Sequence, residues 1–146
     1  MKKRTILLVE DNPDDEALTL KAFKKNNILN EVVVVRDGEA ALDYLFARGE
    51  YAKRDKSVNP ELILLDLKLP KIDGLEVLKI IKSDNRTQLI PVIILTSSSE
   101  EKDILKSYEL YANSYIRKPV DFEQFSDAIR ELGVYWLVLN ETPNHI

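Results

Sequence analysis

The chain has 146 residues, of which 45% are hydrophobic and 32% charged, and this balance predicts one globular domain with a sizeable core and excludes a disordered chain. The net charge of −4 and the sequence pI of about 5.1 argue against a broad nucleic-acid or membrane-surface footprint. There is no cysteine, which excludes disulfides, cysteine-ligated zinc and thiol catalysis and is compatible with the cytoplasm. The apolar run that follows the basic start is too short for a signal peptide or a membrane span.

The first predicted strand, Thr5–Val9, is a continuous apolar run of the kind that is buried on both faces of a sheet. It leads directly into two carboxylates, Glu10 and Asp11. Two adjacent carboxylates repel each other, and in a pocket a bound cation or a raised pKa resolves the repulsion. The alternative for such a pair is that both are solvated loop acids. A helix is predicted from Pro13 to about Asn26.

The next strand is predicted over Glu31–Arg36 because it contains four consecutive valines. Asp37 is predicted to cap a helix that runs through Phe46. The stretch from Gly49 to Pro60 is charged and has no apolar period, so it is predicted to be the longest loop and the most mobile part of the chain.

A third buried strand, Leu62–Leu67, carries Asp66 near its end and is followed by a loop up to Gly74. A helix is then predicted to about Asn85, and a fourth strand, Pro91–Thr96, ends on a hydroxyl.

The last third of the chain is predicted to contain two helices and one strand. After a polar loop, a stripe of Ile104, Tyr108 and Tyr111 predicts the first helix, and Ser114–Pro119 predicts a strand that ends on Lys118. Asp121 is predicted to cap a final helix that reaches about Leu139. The predicted division is therefore one domain of residues 1–139 and a polar tail of residues 140–146.

Five successive strand–helix units predict an α/β fold, a doubly wound parallel sheet with helices on both faces. In such sheets ligands bind at the carboxyl ends of the strands. Polar residues end four of the five predicted strands: Glu10 with Asp11, then Asp66, Thr96 and Lys118. Three carboxylates suit a hard divalent cation such as Mg²⁺, and a hydroxyl and an ammonium suit an anion.

These residue types together suit phosphoryl transfer, in which an aspartate carboxylate can act as the covalent acceptor. Glu10 and Asp11 would hold Mg²⁺, Asp66 would attack, and Thr96 and Lys118 would contact the phosphoryl oxygens. Each residue also has an ordinary structural explanation. Asp66 could form a turn, Thr96 could cap the next helix, and Lys118 could lie in a solvated turn.

At the level of motifs, the chain resembles the receiver domain of bacterial two-component response regulators from about Thr5 to Leu132. The matching motifs are Leu7–Asn12, Leu64–Pro70 with Asp73-Gly74, Leu95–Ser97 and Lys118-Pro119. The resemblance implies a flavodoxin-like sheet in the order 2-1-3-4-5 and Asp66 as the phosphoacceptor. It also implies the Lys68 backbone carbonyl as a further Mg²⁺ ligand, and Thr96 and Tyr115 as switch residues.

A narrower resemblance is to the stand-alone regulators that are paired with cyanobacterial phytochromes. It rests on Arg36–Leu45, on Gly49–Tyr51 and on Tyr135–Leu137. It implies a phytochrome-like sensor histidine kinase as partner. The chain departs from the family at Lys68 and Ser97, and both departures bear on the rate of phosphoryl loss. Seven residues follow the last predicted helix, so no DNA-binding output is expected, and the output is predicted to be a partner contact or a change of assembly.

The final helix predicts a homodimer because it is apolar on more than its inward stripe. Val134, Leu137 and Val138 project away from that stripe, and with Tyr111 they form the predicted dimer or partner surface. The alternatives are that the last turn folds back on its own domain, that it binds the kinase, or that Gly133 kinks the helix. For the function as a whole, a phosphatase that uses Asp66 and a scaffold that does not accept phosphate are the competing hypotheses.

Overall fold

The computed structural model describes residues 5–96, 101–117 and 122–133, which form five strands and five α-helices. The elements alternate along the chain as the sequence predicts. The strands are β1 (Thr5–Val9), β2 (Glu31–Val35), β3 (Leu62–Leu65), β4 (Val92–Thr96) and β5 (Ser114–Arg117). The helices are α1 (Pro13–Lys25), α2 (Gly38–Leu45), α3 (Gly74–Ser83), α4 (Glu101–Glu109) and α5 (Phe122–Gly133).

All strand pairs in the sheet are parallel, and the order is β2-β1-β3-β4-β5, which confirms the predicted topology. Val9 at the end of β1 pairs with Val35 on one side and with Leu65 on the other. The strand order therefore reverses at β1, and this places the carboxyl ends of β1 and β3 side by side at the position where such sheets bind ligands.

Side chains alternate between two cores, one on each face of the sheet. Leu7 and Val9 of β1 pack in the core that includes residues of α2 and α3, whereas Ile6 and Leu8 pack in the core that includes residues of α1 and α5. Strands β1, β3 and β4 are thus buried on both faces, which explains why their sequences are continuous apolar runs.

Three helices end in the same left-handed turn, although none of the three has glycine there. Asn27, Ala47 and Tyr111 follow α1, α2 and α4 with φ of 57°, 52° and 68°. In each case the next residue donates its backbone N–H to a carbonyl five residues back, as at Ala112 to Ser107 O, 3.0 Å. Tyr111 was predicted to continue the helical stripe of α4, and this is wrong: α4 ends at Glu109, and Tyr111 is exposed in the turn.

The predicted loop of residues 49–60 contains local structure that the sequence did not indicate. It contains a 3-10 helix, Gly49–Tyr51, and Arg54 then anchors it to the end of α2. The Arg54 guanidinium donates to the carbonyl oxygens of Tyr44, Leu45, Asp55 and Val58 at 2.6–3.2 Å. The predicted loop thus contains a short helix and an anchoring arginine, and its predicted mobility stays a prediction.

The last described helix, α5, buries Phe125 and Ile129 against the sheet, as its predicted inward stripe requires. Asp121, Val134, Leu137, Val138 and the tail lie outside the described residues, so the predicted cap, the dimer surface and the division at residue 139 remain predictions. Among the helices of the described ranges, none is long and apolar enough to cross a membrane.

Candidate functional site

Three carboxylates converge at the carboxyl edge of the sheet, on neighbouring strand ends. Glu10, Asp11 and Asp66 each place a carboxylate oxygen within 4.8 Å of the other two. Glu10 and Asp66 are buried, at 1% and 7% exposure, while Asp11 is open to solvent. The structure therefore brings together the three acids that the sequence predicted to meet.

The register of the sheet explains this convergence. Because Val9 lies opposite Leu65, the residues that follow, Glu10 and Asp66, leave the sheet side by side. The backbones of Glu10 and Asp66 still form hydrogen bonds with the neighbouring strands. Glu10 N–H donates to Val35 O at 3.0 Å, and Asp66 N–H donates to Val9 O at 3.1 Å. The backbones that carry both carboxylates are thus hydrogen-bonded to the sheet.

Asn12 positions the loop that carries Glu10 and Asp11, a role that the sequence analysis missed. Its side-chain oxygen accepts hydrogen bonds from the backbone N–H groups of Asp14 and Asp15, at 2.9 and 3.2 Å, and so caps α1. Its own backbone N–H donates to Glu10 Oε2 at 3.3 Å. The signal in the sequence is an asparagine directly before a proline at the first helical position.

The loop after Asp66 folds back tightly against its backbone. The Lys68 N–H donates to Asp66 Oδ1 at 3.2 Å, and the Gly74 N–H donates to Leu67 O at 3.0 Å. A Cβ atom added at Gly74 would lie 2.3 Å from the Asp66 carbonyl oxygen, a distance that forces the backbone to shift. A side chain at this position would displace the acidic cluster, so Gly74 is part of what sets its geometry.

Thr96 and Tyr115 lie on the neighbouring strands β4 and β5. Thr96 is fully buried at the end of β4 and pairs with Arg117. Tyr115 is half-buried and packs against the core on the α2 and α3 face, and the alternation of β4 places Thr96 on that same face. Lys118, the predicted anion partner, lies outside the described residues.

Asp37, which ends β2, is not part of the cluster. It caps α2, as predicted: its Oδ1 accepts from the Ala40 N–H at 2.7 Å. Three of the strand-end acids therefore form a site, and the fourth has a structural role.

The donor set fits a hard divalent cation. All three side chains offer carboxylate oxygen, the ligand atom that such cations prefer, and a bound cation would reduce the repulsion among the three carboxylates. Two oxygens bound to one Mg²⁺ at roughly 2.1 Å lie at most about 4.2 Å apart. Oxygens within 4.8 Å of one another can meet this limit through a small side-chain movement or through one bridging water.

A family comparison agrees with this geometry. The family model described as "Response regulator receiver domain" matches residues 6–130. The chain therefore belongs to the response regulator receiver domain family, a class of two-component signalling domains that bind Mg²⁺ or Mn²⁺ at an acidic pocket and whose general partner is a histidine kinase.

Two curated relatives match over most of their length. The chain is 41% identical to "Probable methanogenesis regulatory protein FilR2" of Methanothrix harundinacea, covering 94% of this chain and 86% of that protein. It is also 41% identical to "Response regulator Rcp1" of Synechocystis sp., covering 92% of this chain and 89% of that protein.

Solved structures of phytochrome regulators are also similar. The phosphorylated cyanobacterial phytochrome response regulator RcpA is 43% identical, with a TM-score of 0.89 and coverage of 97% of this chain and 99% of that chain. The bacteriophytochrome response regulator AtBRR is 55% identical, with a TM-score of 0.78 and coverage of 97% and 100%. The Mn²⁺-bound form of Rcp1 superposes with a TM-score of 0.87 at 39% identity, with coverage of 96% and 99%.

Proposed function

We propose that this chain is a phosphorylation-switched response regulator that accepts a phosphoryl group on Asp66 from a sensor histidine kinase. The convergence of Glu10, Asp11 and Asp66 at the end of β1 and β3 is the observation that carries the proposal. Asp66 is buried beside two further acids, and the family supplies a matching class of function.

In the proposed reaction an Asp66 carboxylate oxygen attacks the phosphorus of a phosphohistidine. The O–P bond forms as the P–N bond breaks, the imidazole leaves, and Asp66 becomes an acyl phosphate. The Thr96 hydroxyl donates to one phosphoryl oxygen, and the Lys118 ammonium pairs with another. Mg²⁺, when bound, would supply positive charge that offsets the negative charge of the phosphoryl oxygens.

The residues that would hold Mg²⁺ are Glu10, Asp11 and Asp66, together with the Lys68 backbone carbonyl. Burial of Glu10 keeps its carboxylate in place before the ion arrives, which reduces the ordering cost of binding. Asp11 is exposed, so the cluster is open to solvent on at least this side.

The first prediction concerns Asp66→Asn. Incubation of the wild-type chain with a small acyl phosphate and Mg²⁺ should add one phosphoryl group by intact mass, and Asp66→Asn should reduce the rate by at least about 100-fold because the nucleophile is lost. Omission of Mg²⁺ should also suppress the reaction. Asp37→Asn is the matched control, since Asp37 caps α2 outside the cluster and asparagine also caps helices.

The outcomes separate the competing functions. A long-lived single phosphate supports the switch, whereas repeated turnover of unrelated phosphate esters would support a phosphatase. An unchanged mass would support a scaffold. Phosphorylation of Asp66→Asn at the wild-type rate would show that the acceptor has been assigned to the wrong residue.

The proposed signal travels through Thr96 and Tyr115. Thr96 would move toward the new anion, and Tyr115, which shares its face of the sheet, would fill the vacated space. Thr96→Ala should therefore still be phosphorylated, but its partner binding or assembly should no longer respond to the phosphate.

The proposed assembly is a homodimer through the end of the last helix and Tyr111, which is 76% exposed. The second prediction is that Leu137→Glu with Val138→Glu converts a dimer into a monomer in sedimentation. A wild-type chain that stays monomeric at high micromolar concentration, with and without phosphate, would contradict the dimer.

The proposed kinase partner is phytochrome-like, and the proposed location is the cytoplasm. The support is the similarity to RcpA and AtBRR, whose descriptions name phytochrome or bacteriophytochrome signalling. FilR2 is described by a different process at a comparable identity, so the kinase needs a direct test. Phosphotransfer from a purified phytochrome-type kinase should be faster than from an unrelated histidine kinase at equal concentration.

A further inference from the structure

The loop between β3 and α3, residues 66–73, is hydrogen-bonded to the start of helix α2. Gly38 is the first residue of α2, and a backbone N–H at that position has no partner within its own helix. It donates instead to the Pro70 carbonyl oxygen at 3.3 Å. The β3–α3 loop is therefore attached to α2 at a point only two residues after Lys68.

The backbones of α2 and the β3–α3 loop also approach each other closely at this point. A Cβ atom added at Gly38 would lie 2.3 Å from the Ile72 carbonyl oxygen and 2.7 Å from the Ile72 Cβ atom. Ordinary contacts of a Cβ atom begin at 3.4 Å, so a side chain at Gly38 would force α2 and the loop apart by about 1 Å. The close approach therefore depends on glycine at this position.

The β3–α3 loop is strained where it meets Gly38. The Ile72 N–H donates to Pro70 O at 2.8 Å, across Lys71, whose φ is 68°. This pattern, with a positive φ at the central residue, is the rarer and more strained form of the γ-turn. A non-glycine residue in the left-handed region persists only where the surrounding structure holds it. Here the contacts of Gly38 with Pro70 and Ile72 hold the residues on both sides of Lys71.

Ion pairs between α2 and the β3–α3 loop contribute little to this attachment. The Lys71 ammonium lies 3.7 Å from a carboxylate oxygen of Asp37 and 3.7 Å from one of Glu39, and the Lys71 and Glu39 side chains are exposed. Exposed pairs of this kind stabilise a fold weakly because water and salt screen them. The backbone contacts of Gly38 therefore hold the loop, and Asp37→Asn leaves them in place.

Lys68 lies between two attachments of the β3–α3 loop. On one side, the Lys68 N–H donates to Asp66 Oδ1 at 3.2 Å. On the other side, Leu69 packs against the core on the α2 and α3 face, and Pro70 accepts the hydrogen bond from Gly38. Loss of the second attachment would let the Lys68 carbonyl move while Asp66 stays hydrogen-bonded to β1.

We propose that Gly38 is a positioning residue for the Mg²⁺ site and acts through the β3–α3 loop. The inference rests on the proposed function, in which the Lys68 carbonyl oxygen is a ligand of the ion. Mg²⁺ demands near-ideal octahedral geometry, with oxygens at roughly 2.0–2.1 Å. A displacement of about 1 Å between Gly38 and Ile72 is large beside that tolerance. The position of α2 therefore sets the affinity of the site for Mg²⁺.

The test compares Gly38→Ala with a substitution at a strained glycine that does not contact the β3–α3 loop. Gly49 has φ of 59°, and a Cβ atom there would lie 2.8 Å from Asp43 Oδ2. Both variants should be less stable than the wild type. In a titration of the isotope-labelled chain with MgCl₂, followed by NMR, Gly38→Ala should raise the dissociation constant by about tenfold, as expected for a residue that orients a metal ligand. Gly49→Ala should change it by less than about twofold.

Phosphorylation by a small acyl phosphate separates positioning of the ion from loss of the acceptor. For Gly38→Ala, the Mg²⁺ concentration that gives the half-maximal rate should rise by about tenfold, while the rate at saturating Mg²⁺ stays within about threefold of the wild type. Wild-type affinity for Mg²⁺ in Gly38→Ala, or an equal loss in Gly49→Ala, would overturn the inference alone. A wild type that binds no Mg²⁺ would overturn the proposed function as well, so the two failures are distinguishable.

A measurement on the wild type tests the same coupling if Gly38→Ala does not fold. Because coupling between two sites is reciprocal, an ion that holds the β3–α3 loop should also hold the Gly38 amide on Pro70. Saturating Mg²⁺ should slow hydrogen exchange at the Gly38 amide by about threefold or more. The Ala52 amide, which donates to Gly49 O at 3.2 Å, should change by less than about twofold. Exchange that slows no more at Gly38 than at Ala52 would contradict the proposed role of Gly38.

Discussion

The carboxyl edge and the amino edge of the sheet differ in how their charged side chains are surrounded. At the carboxyl edge, Glu10, Asp11 and Asp66 bring carboxylate oxygens within 4.8 Å of one another. At the amino edge, Arg54 and Lys82 are each surrounded by neutral carbonyl oxygens. The carboxyl edge brings like charges together, whereas at the amino edge Arg54 and Lys82 donate to neutral oxygens of the neighbouring loops and helix ends.

Lys82 shows the second pattern clearly. Its ammonium donates to Ile90 O at 2.8 Å, to Gln88 O at 3.2 Å and to Asn113 Oδ1 at 3.4 Å. Asn113 in turn accepts from the Val92 N–H at 2.8 Å. One side chain thus ties the end of α3 to the loops that enter β4 and β5.

This difference indicates where an external ion can change the stability of the molecule. At the amino edge, Arg54 and Lys82 already donate hydrogen bonds to oxygens of the protein. Added ions are therefore expected to change the stability of this edge little. At the carboxyl edge three carboxylates lie close together and repel one another, and a bound cation reduces that repulsion. Ligand binding at that edge is therefore expected to appear directly as folding stability.

The largest expected effect is stabilisation by Mg²⁺. At a concentration of 100 times its dissociation constant, one ion that binds only the folded chain adds about 2.7 kcal/mol to the free energy of unfolding. Thermal or urea unfolding with and without Mg²⁺ measures this gain. In Asp11→Asn the gain should fall, while the metal-free variant should be at least as stable as the metal-free wild type, because one repelling charge has been removed.

The control for this measurement is sodium chloride at matched ionic strength, which should not reproduce the gain. A wild type that is equally stable with and without Mg²⁺ would remove the proposed distinction between the two edges.

The next effect concerns Arg54 at the amino edge. Arg54→Ala removes hydrogen bonds to four backbone carbonyls and the contact with the Tyr44 ring at 4.4 Å, and should lower the free energy of unfolding by about 2 kcal/mol. Urea denaturation measures the loss, and hydrogen exchange should increase at residues 49–58. Arg130→Ala, which removes an exposed arginine 3.7 Å from Asp127, should cost less than about 0.5 kcal/mol.

If Arg54→Ala and Arg130→Ala lower the free energy of unfolding equally, the Arg54 guanidinium does not hold the loop of residues 49–60, and the predicted mobility of that loop would be supported.

Arg54 also explains why the sequence predicted the strands in more detail than the structure within this loop. The apolar runs of β1, β3 and β4 are continuous because both faces are buried, and that pattern is local in the sequence. The order of residues 49–60 depends on carbonyls of Tyr44 and Leu45, nine or ten residues away from Arg54. The sequence of the loop alone therefore does not predict the contacts between Arg54 and these carbonyls.

The acidic cluster was predictable for a similar reason. Parallel strands place their carboxyl ends together, so acids that follow β1 and β3 must be neighbours once the strand order is known. Tyr111 was not predictable in this way, because left-handed helix ends usually contain glycine. Its spacing from Tyr108 therefore suggested one more turn of α4 than the structure contains.

The smallest expected effect tests the amino edge by pH. Burial lowers the pKa of Lys82 to about 8 from its ordinary 10.5, so between these values the unfolded chain binds a proton that the folded chain has released. Stability from this group should consequently rise as pH increases from about 8 to 10.5, by about 1–2 kcal/mol after allowance for solvent screening at a partly exposed side chain. Lys82→Met removes the titrating ammonium. The difference in unfolding free energy between the wild type and Lys82→Met, measured at each pH, therefore separates the contribution of Lys82 from that of the tyrosines, which titrate in the same range. A difference that falls with pH over this range would show that the three carbonyl contacts stabilise the ammonium more than burial disfavours it, and the amino edge would then retain its charge throughout.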